Sequence, residues 1–377
     1  MPVPPNTAFR TGCKAMASLS DTVAALLRPE VLALSAYHVQ DSTGFIKLDA
    51  MENPYLWPEE MTAEWLEILR KTGVNRYPDP AADRLRQALR LANAVPDGAE
   101  LMLGNGSDEL IQIILMGLAA GGATVLAPQP SFAMYRQIAV SLGLRFVGVD
   151  LNEADFSLDM DAMRSAIAEH APKAIFLAYP NNPTGNAFAT EDMLEILRIA
   201  PGLVVVDEAY APFADATFMP ALADFPNLLV MRTLSKLGLA GLRLGFLVGH
   251  PAWIGQLDKL RLPYNINVLT QLTAEYALSK QAVFDGQVGR IRADRELMAA
   301  SLRALPVDIF PSQANFLTFR VREKDADEVF EALKDAGVLI KNLSRSGVLL
   351  RGCLRVTVGT SNENQRFMEV LTAILKP

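Results

Sequence analysis

Four short runs in the middle of the chain constrain its fold more than any other feature. ATVLAPQ, KAIFLAYP, LVVVDEAY and LLVMRTLS are nearly continuous in apolar residues. A strand open to water on one face alternates apolar and polar residues; a strand covered on both faces has no need to. Segments with helical spacing stand between the runs, among them PSFAMYRQIAVSLG, MRSAIAEH and EDMLEILRIA. The alternation predicts an α/β fold, with a mostly parallel sheet covered by helices on both faces. RLGFLVGH follows LLVMRTLS with no crossover helix between them, so it is expected to be an antiparallel member.

The pattern changes after about Tyr264. A long amphipathic helical region runs from TQLTAEYALSK to ELMAASLRALP. ANFLTFRV, DADEVFEALKDAG, VLIKNL, LRVTVGT and ENQRFMEVLTAILK follow, as a compact α+β unit. A chain of 377 residues exceeds one typical domain. The expected division is a large domain over 61–264 and a smaller α+β domain over 265–377. Residues 1–60 are expected to give an N-terminal arm and part of the small domain. The first ten residues, rich in Pro and polar side chains, read as a mobile arm. DTVAALLRPEVLAL reads as a helix interrupted at Pro29, and MTAEWLEILRKTG as a helix closed by Gly73.

Charge and composition exclude several functions. The net charge is −7, which opposes general nucleic-acid binding. Two cysteines, Cys13 and Cys353, cannot build a disulfide framework or a cysteine-rich metal site. His38, His170 and His250 have neither metal-binding nor triad spacing, so no metal is expected. The N-terminus lacks the uninterrupted apolar core of a signal peptide. The most apolar stretch, from Leu110 to Ala127, is broken by Gln112, Gly117, Gly121, Gly122 and Thr124. It reads as helix, turn and strand rather than a membrane span, and the simplest location is the cytoplasm.

The residues that carry chemistry fall at strand ends. LVVVDEAY ends a buried strand in Asp207 and Glu208, then Tyr210. Ligands of parallel α/β sheets bind beyond the carboxyl ends of the strands. There Asp207 can pair with a ring nitrogen and keep it protonated, as pyridoxal 5′-phosphate chemistry requires; an ordinary strand-end turn is the alternative. In RTLSKLGLAGLRLG, Lys236 follows Thr233 and Ser235, and Arg243 lies in a glycine-spaced loop. A lysine so placed can form a Schiff base while hydroxyls and an arginine clamp a phosphate; a surface lysine in a flexible loop is the alternative. GNGSDELI offers a tight turn, with Ser107 as a helix cap. The amides of Ser107, Asp108 and Glu109 then face an anion, although a plain helix cap explains the same residues. The carboxylates of Asp108 and Glu109 would repel phosphate if they pointed inward, so the amides must do the binding. In YPNNPTG, Asn182 offers an amide donor, or simply makes a turn. Phe132 in PQPSFAMYR can stack on a planar ring, or serve as a core aromatic.

The ordered series GNGSDE, PSFAMY, NNPTG, DEAY, TLSK, GLRLG and CLRVTVGT resembles the fold-type-I aminotransferases. KLDAMENPY, NRYPDPAADRLRQAL and CLRVTVGTSNEN narrow the resemblance to histidinol-phosphate aminotransferase, from about Leu32 to the C-terminus. The resemblance implies pyridoxal 5′-phosphate as cofactor and a homodimer with shared active sites. It makes Lys236 the Schiff-base lysine and proton shuttle, and pairs Asp207 with the pyridine nitrogen. Tyr210 and Asn182 then bind the ring oxygen, and Phe132 stacks on the ring. The backbone at Ser107, Asp108 and Glu109 holds the phosphate together with Thr233, Ser235 and Arg243. Tyr77 reaches the phosphate from the neighbouring subunit. Arg355 binds the substrate anion, with Tyr37 near the substrate. Three positions depart from the family pattern: Met51 stands for the usual Asn, Phe132 for the more usual Tyr, and Lys341 near where some relatives have a second substrate Arg.

The implied reaction passes the amino group of L-histidinol phosphate to 2-oxoglutarate, giving imidazole-acetol phosphate and L-glutamate. An aromatic-amino-acid aminotransferase or a threonine-phosphate decarboxylase would use the same scaffold. A catalytically idle regulator is the alternative of another class, against which the retained Lys236 and Asp207 speak. A nicotinamide dehydrogenase is disfavoured because Glu109 stands where the third glycine of its fingerprint would be.

Overall fold

The computed structural model describes residues 19–36, 40–119 and 121–376. The first ten residues, expected as an arm, and Tyr37 lie outside the described residues. Two compact units are present, residues 1–39 and 40–377. In the first, α1 (Leu19–Leu26) and α2 (Pro29–Leu32) meet at Pro29, as expected from the sequence. Proline favours a first helical turn because its missing N–H would have no partner there.

In the second unit β1 (Ile46–Lys47) precedes α3 (Glu59–Arg70) and α4 (Asp83–Ala92). Gly73 does not cap α3: the helix closes at Lys71, in right-handed geometry, two residues earlier. The alternating region follows as β2 (Glu100–Gly104), α5 (Ser107–Leu118), β3 (Thr124–Gln129), α6 (Ala133–Ser141) and β4 (Arg145–Asp150). It continues as α7 (Met160–His170), β5 (Ala174–Ala178), α8 (Thr190–Ile199), β6 (Leu203–Asp207), β7 (Leu228–Thr233) and β8 (Gly245–Gly249). These strands form one seven-stranded sheet in the order β2-β8-β7-β6-β5-β3-β4. β8 runs antiparallel to both its neighbours and the other pairings are parallel, in line with the sequence reading.

The apolar runs are continuous because both faces of the sheet are buried. Ile175, Leu177, Val204, Val206, Leu228 and Val230 enter one core. Their neighbours Ala174, Phe176, Leu203, Val205, Leu229 and Met231 enter another on the opposite face. Alternation of side chains across each strand produces this division, and covering helices keep both faces dry.

Beyond β8 come α9 (Pro251–Leu257), α10 (Val268–Ser279) and α11 (Gln281–Leu302). The helical region expected as one stretch is therefore broken at Lys280, whose backbone leaves helical geometry. Then follow β9 (Val307–Ile309), β10 (Phe316–Val321), α12 (Ala326–Asp335), β11 (Val338–Leu339), β12 (Lys341–Asn342), β13 (Cys353–Thr357) and α13 (Ser361–Leu375). A four-stranded antiparallel sheet has the order β12-β13-β10-β9. β1 pairs parallel with β11, and Leu48 packs among Val338, Leu339 and Val356 in the third core. The N-terminal end of this unit is thus stitched to its C-terminal strands.

Ile175 tests the two-faced burial because it is fully buried in a strand with neighbours on both sides. Ile175→Ala should lower the unfolding free energy by about 2–5 kcal/mol, and Ile175→Val by about 0.5–1.5 kcal/mol. Urea unfolding of the two variants checks both numbers.

Candidate active site

The carboxyl ends of β2, β3, β5, β6 and β7 open onto one cavity of about 250 Å³. Ser107, Asp108, Phe132, Asn182, Asp207, Tyr210, Thr233, Ser235, Lys236 and Arg243 line it, with Ala50, Met51 and Glu52 closing one wall. A larger cavity of about 330 Å³, lined by Asp79, Arg86, Tyr264 and Asn265, gathers none of the expected residues.

Asp207 ends β6 and is only 4% exposed. Its Oδ2 accepts a hydrogen bond from the Tyr135 hydroxyl at 2.6 Å, and Oδ1 accepts one from the Ala209 amide at 3.1 Å. Burial pushes its pKa up from 3.8 to about 6, against the lowering effect of these two donors. The next residue, Glu208, faces the other way, because successive side chains of an extended backbone alternate. It pairs with Arg232 at 2.7 Å and also accepts from Thr217, so it belongs to a separate ion pair.

Lys236 sits in a single 3-10 turn over residues 235–237, directly after β7. Its Nζ is 3.4 Å from the Ala50 carbonyl and 5.8 Å from the centre of the Tyr210 ring. Burial, aided by the cations of Arg355 and Arg243, holds its pKa down to about 8. A lysine with that value is partly neutral near pH 7, as a base must be.

The end of the cavity nearest α5 is built from backbone. Gly106 takes φ +86° and is itself the cap residue of α5, which corrects the expectation for Ser107. Ser107 is the first helical residue, so its amide and those of Asp108 and Glu109 belong to the turn whose N–H groups lack helical partners. A Cβ on Gly106 would lie 2.7 Å from Arg243 Nη2, and one on Gly245 would lie 2.8 Å from the Ser107 nitrogen. Only glycine allows these three segments to meet. Glu109 turns away and accepts hydrogen bonds from the Asn105 amide (2.6 Å) and Asn265 (2.9 Å). Asp108 turns inward, 3.4 Å from Arg243 Nη2, so a cation balances the carboxylate beside the amides. Thr233 Oγ1 lies 2.9 Å from Ser235 Oγ and accepts from the Ser235 amide, which fixes both hydroxyls.

Arg355 on β13 is buried beside this cavity. Its Nη1 donates to Asn182 Oδ1 at 2.6 Å and its Nη2 to the Asp49 carbonyl at 3.1 Å; the guanidinium lies 5.2 Å from the Phe316 ring. Lys341 is its register partner on β12 and does not line the cavity. Tyr77 is also absent from the cavity: it is 80% exposed and stacks on Tyr264, with ring centres 4.4 Å apart. Met51 holds a left-handed backbone at φ +53°, costly without glycine. Its amide donates to Thr357 Oγ1 and its carbonyl accepts from Asn315, so hydrogen bonds on both sides retain the conformation.

Sequence reasoning missed Tyr135, which is fully buried on α6 and contacts Asp207 directly. The available signal was a tyrosine on an otherwise apolar helical face, since a buried phenol needs a partner.

The chain belongs to the family of class I and II aminotransferases, whose model matches residues 43–371. Its relatives narrow this to the histidinol-phosphate aminotransferases. Histidinol-phosphate aminotransferase 2 of Nitrosococcus oceani is 55% identical over 354 residues, covering 94% of this chain and 98% of its own. Histidinol-phosphate aminotransferase 1 of Ralstonia nicotianae is 51% identical over 365 residues, covering 95% and 97%. The crystal structure of histidinol-phosphate aminotransferase from Sinorhizobium meliloti, in complex with pyridoxal-5′-phosphate, superposes with a TM-score of 0.82. It covers 93% of this chain and 98% of its own at 22% identity, a likeness of fold.

Members of this family are pyridoxal-phosphate enzymes, and the residues present fit that group. A lysine held near pKa 8, a buried carboxylate at a strand end and a glycine-built amide cradle beside Arg243 meet in one cavity.

The raised Asp207 pKa has a sign that can be checked in the cofactor-free chain. The unfolded chain loses this proton near pH 4 and the folded chain near pH 6. The folded state is therefore progressively disfavoured as pH rises between these values, by up to about 3 kcal/mol. Asp207→Asn removes the titration. Its stability relative to the native chain should rise across pH 4–6 and level off above, as measured by urea unfolding at each pH.

Proposed function

We propose that this chain transfers the amino group of L-histidinol phosphate to 2-oxoglutarate, giving imidazole-acetol phosphate and L-glutamate, within histidine biosynthesis in the cytoplasm. The observation that carries the reading is near-full-length identity above 50% to relatives bearing that name. Among the described residues no helix is long and apolar enough to cross a membrane.

Lys236 would hold the cofactor covalently, with its phosphate on the Ser107, Asp108 and Glu109 amides, Thr233, Ser235 and Arg243. Asn182 and Tyr210 would meet the ring oxygen, and Phe132 would cover the ring face. When bound, the cofactor supplies a sink for the electron pair left at the donor's Cα. Asp207, buried at the end of β6, would keep the ring nitrogen protonated. Released when the donor's amine takes its place, Lys236 Nζ, neutral in part, would accept the Cα proton and later return it. Arg355, already fixed by Asn182 and Asp49, presents a guanidinium that can pair with the donor's phosphate or the acceptor's carboxylate. Lys341, its register partner, is the next candidate for that role. Tyr37 is assigned to the substrate by the family pattern alone. The large domain is taken as 61–264, and the small one as 265–377 with the N-terminal segment.

The test is a panel of amino donors offered to the holoenzyme without acceptor, with keto product measured per subunit. L-histidinol phosphate should react fastest. Faster release from aromatic amino acids, or CO₂ from threonine phosphate, would overturn the assignment. Arg355→Ala should weaken both half-reactions by about 2–5 kcal/mol of binding, read as a rise in KM for donor and for acceptor.

A homodimer with shared sites is part of this reading. Its support is the exposure of Tyr77, outside its own chain's cavity, together with that of Tyr264, on which it stacks. Mixing Lys236→Ala and Tyr77→Ala chains should restore activity above that of either variant alone, because one pocket of the mixed dimer then receives both native residues. No restoration, with mixed dimers shown to form and Tyr77→Ala impaired alone, excludes the shared site.

A further inference from the structure

The geometry points to Tyr135 as a positioning residue that sets the charge state and orientation of Asp207 and, through the same ring, the plane of Phe132. Nothing in the motif series marks it, yet among the described residues no other side chain donates a hydrogen bond to the Asp207 carboxylate. The inference rests on the proposed pairing of Asp207 with the cofactor's ring nitrogen.

Tyr135 is fully buried, three residues after Phe132, on the turn of α6 that faces β5 and β6. Its ring stacks on Phe176 at 4.8 Å and meets Phe132 edge-on at 5.5 Å. These two contacts leave its hydroxyl aimed at Asp207 Oδ2, at a length typical of a charge-assisted bond. With the Ala209 amide on Oδ1, both carboxylate oxygens are tied, so the carboxyl plane cannot rotate away from the cavity.

The donor also matters electrostatically. Tyr135 ionises far above its ordinary range, because burial and the nearby carboxylates oppose a phenolate, so it remains a donor at every working pH. Burial, Asp108 and Glu208 all drive Asp207 towards its neutral form, and Tyr135 is the foremost influence against them. Of the other titratable groups around the cavity, Lys236 lies after β7 and Tyr210 after β6, Asp108 comes from α5, Glu52 from the segment after β1, and Arg243 from the loop before β8. Losing the Tyr135 hydroxyl therefore leaves Asp207 protonated to higher pH. A protonated Asp207 cannot hold a ring nitrogen in its charged form.

Tyr135→Phe keeps the ring and removes only the donor. In the cofactor-free full chain, the pH at which the Asp207-linked fall in stability is complete should move upward. In an Asp207→Asn background the same substitution should give an effect flat with pH. Replacing Tyr135 with 3-fluorotyrosine, a stronger donor, should move the fall the opposite way; this covers the case in which the phenylalanine variant folds poorly. In the holoenzyme, the acid limb of kcat/KM should move up in pH for Tyr135→Phe and down for the fluorinated protein. Equal losses of stability at all pH values in both backgrounds, with no shift for the fluorinated protein, would reduce Tyr135 to a packing ring and overturn the proposal. The ring-nitrogen reading is tested separately: it fails if the Asp207→Ala holoenzyme turns over near the native rate, whatever the cofactor-free titrations show.

Discussion

A sheet covered on both faces has nowhere to put polar side chains except at the ends of its strands. That constraint organises this molecule. Val204, Val205 and Val206 alternate between two dry cores, and the first polar side chain β6 can present is Asp207, where the covering stops. β7 likewise stays apolar from Leu228 through Met231; Arg232 then pairs with Glu208, and Thr233 opens onto the cavity. The reactive groups converge because the parallel strands all end on one side, and each strand contributes its last residue or the turn beyond it.

The same burial acts in opposite directions on the two groups that matter most. Desolvation penalises whichever form carries charge, so it raises the carboxyl of Asp207 and lowers the ammonium of Lys236. Their values, about 6 and about 8, bracket neutrality. A chain of net charge −7 nevertheless surrounds the lysine with Arg355 and Arg243, whose cations reinforce its lowered pKa and would attract an anionic ligand. Local placement, rather than overall charge, decides what the cavity can hold.

Much of this was legible in the sequence, for identifiable reasons. The two-faced sheet could be read from continuous apolar runs, and the antiparallel β8 from the short link before RLGFLVGH. Asp207, Lys236 and Arg243 were legible because polar residues at the ends of buried strands are few. Tyr135 was not, since a tyrosine within a helix looks like core until its partner, 72 residues away, is known. Ser107 was misread as a cap because serine favours that position, whereas the cap residue takes φ +86° and lies against the Arg243 guanidinium, which favours glycine. The different directions taken by Asp108 and Glu109 are set by Asn265 and Arg243, which the local sequence does not show.

The lysine turn has one further property, which follows from how its ends are held. Thr233 and Gly245 are direct register partners on adjacent antiparallel strands, so the segment between them is closed at its base by the sheet's own ladder. The Leu234 amide donates to the Leu244 carbonyl just beyond, which tightens the neck. The segment therefore forms a mount whose foot is held in place, and movement of the Lys236 amine is left to its own four-carbon stem. A mobile nitrogen on a stationary post searches a small volume, and a small search volume is equivalent to a high local concentration of the amine.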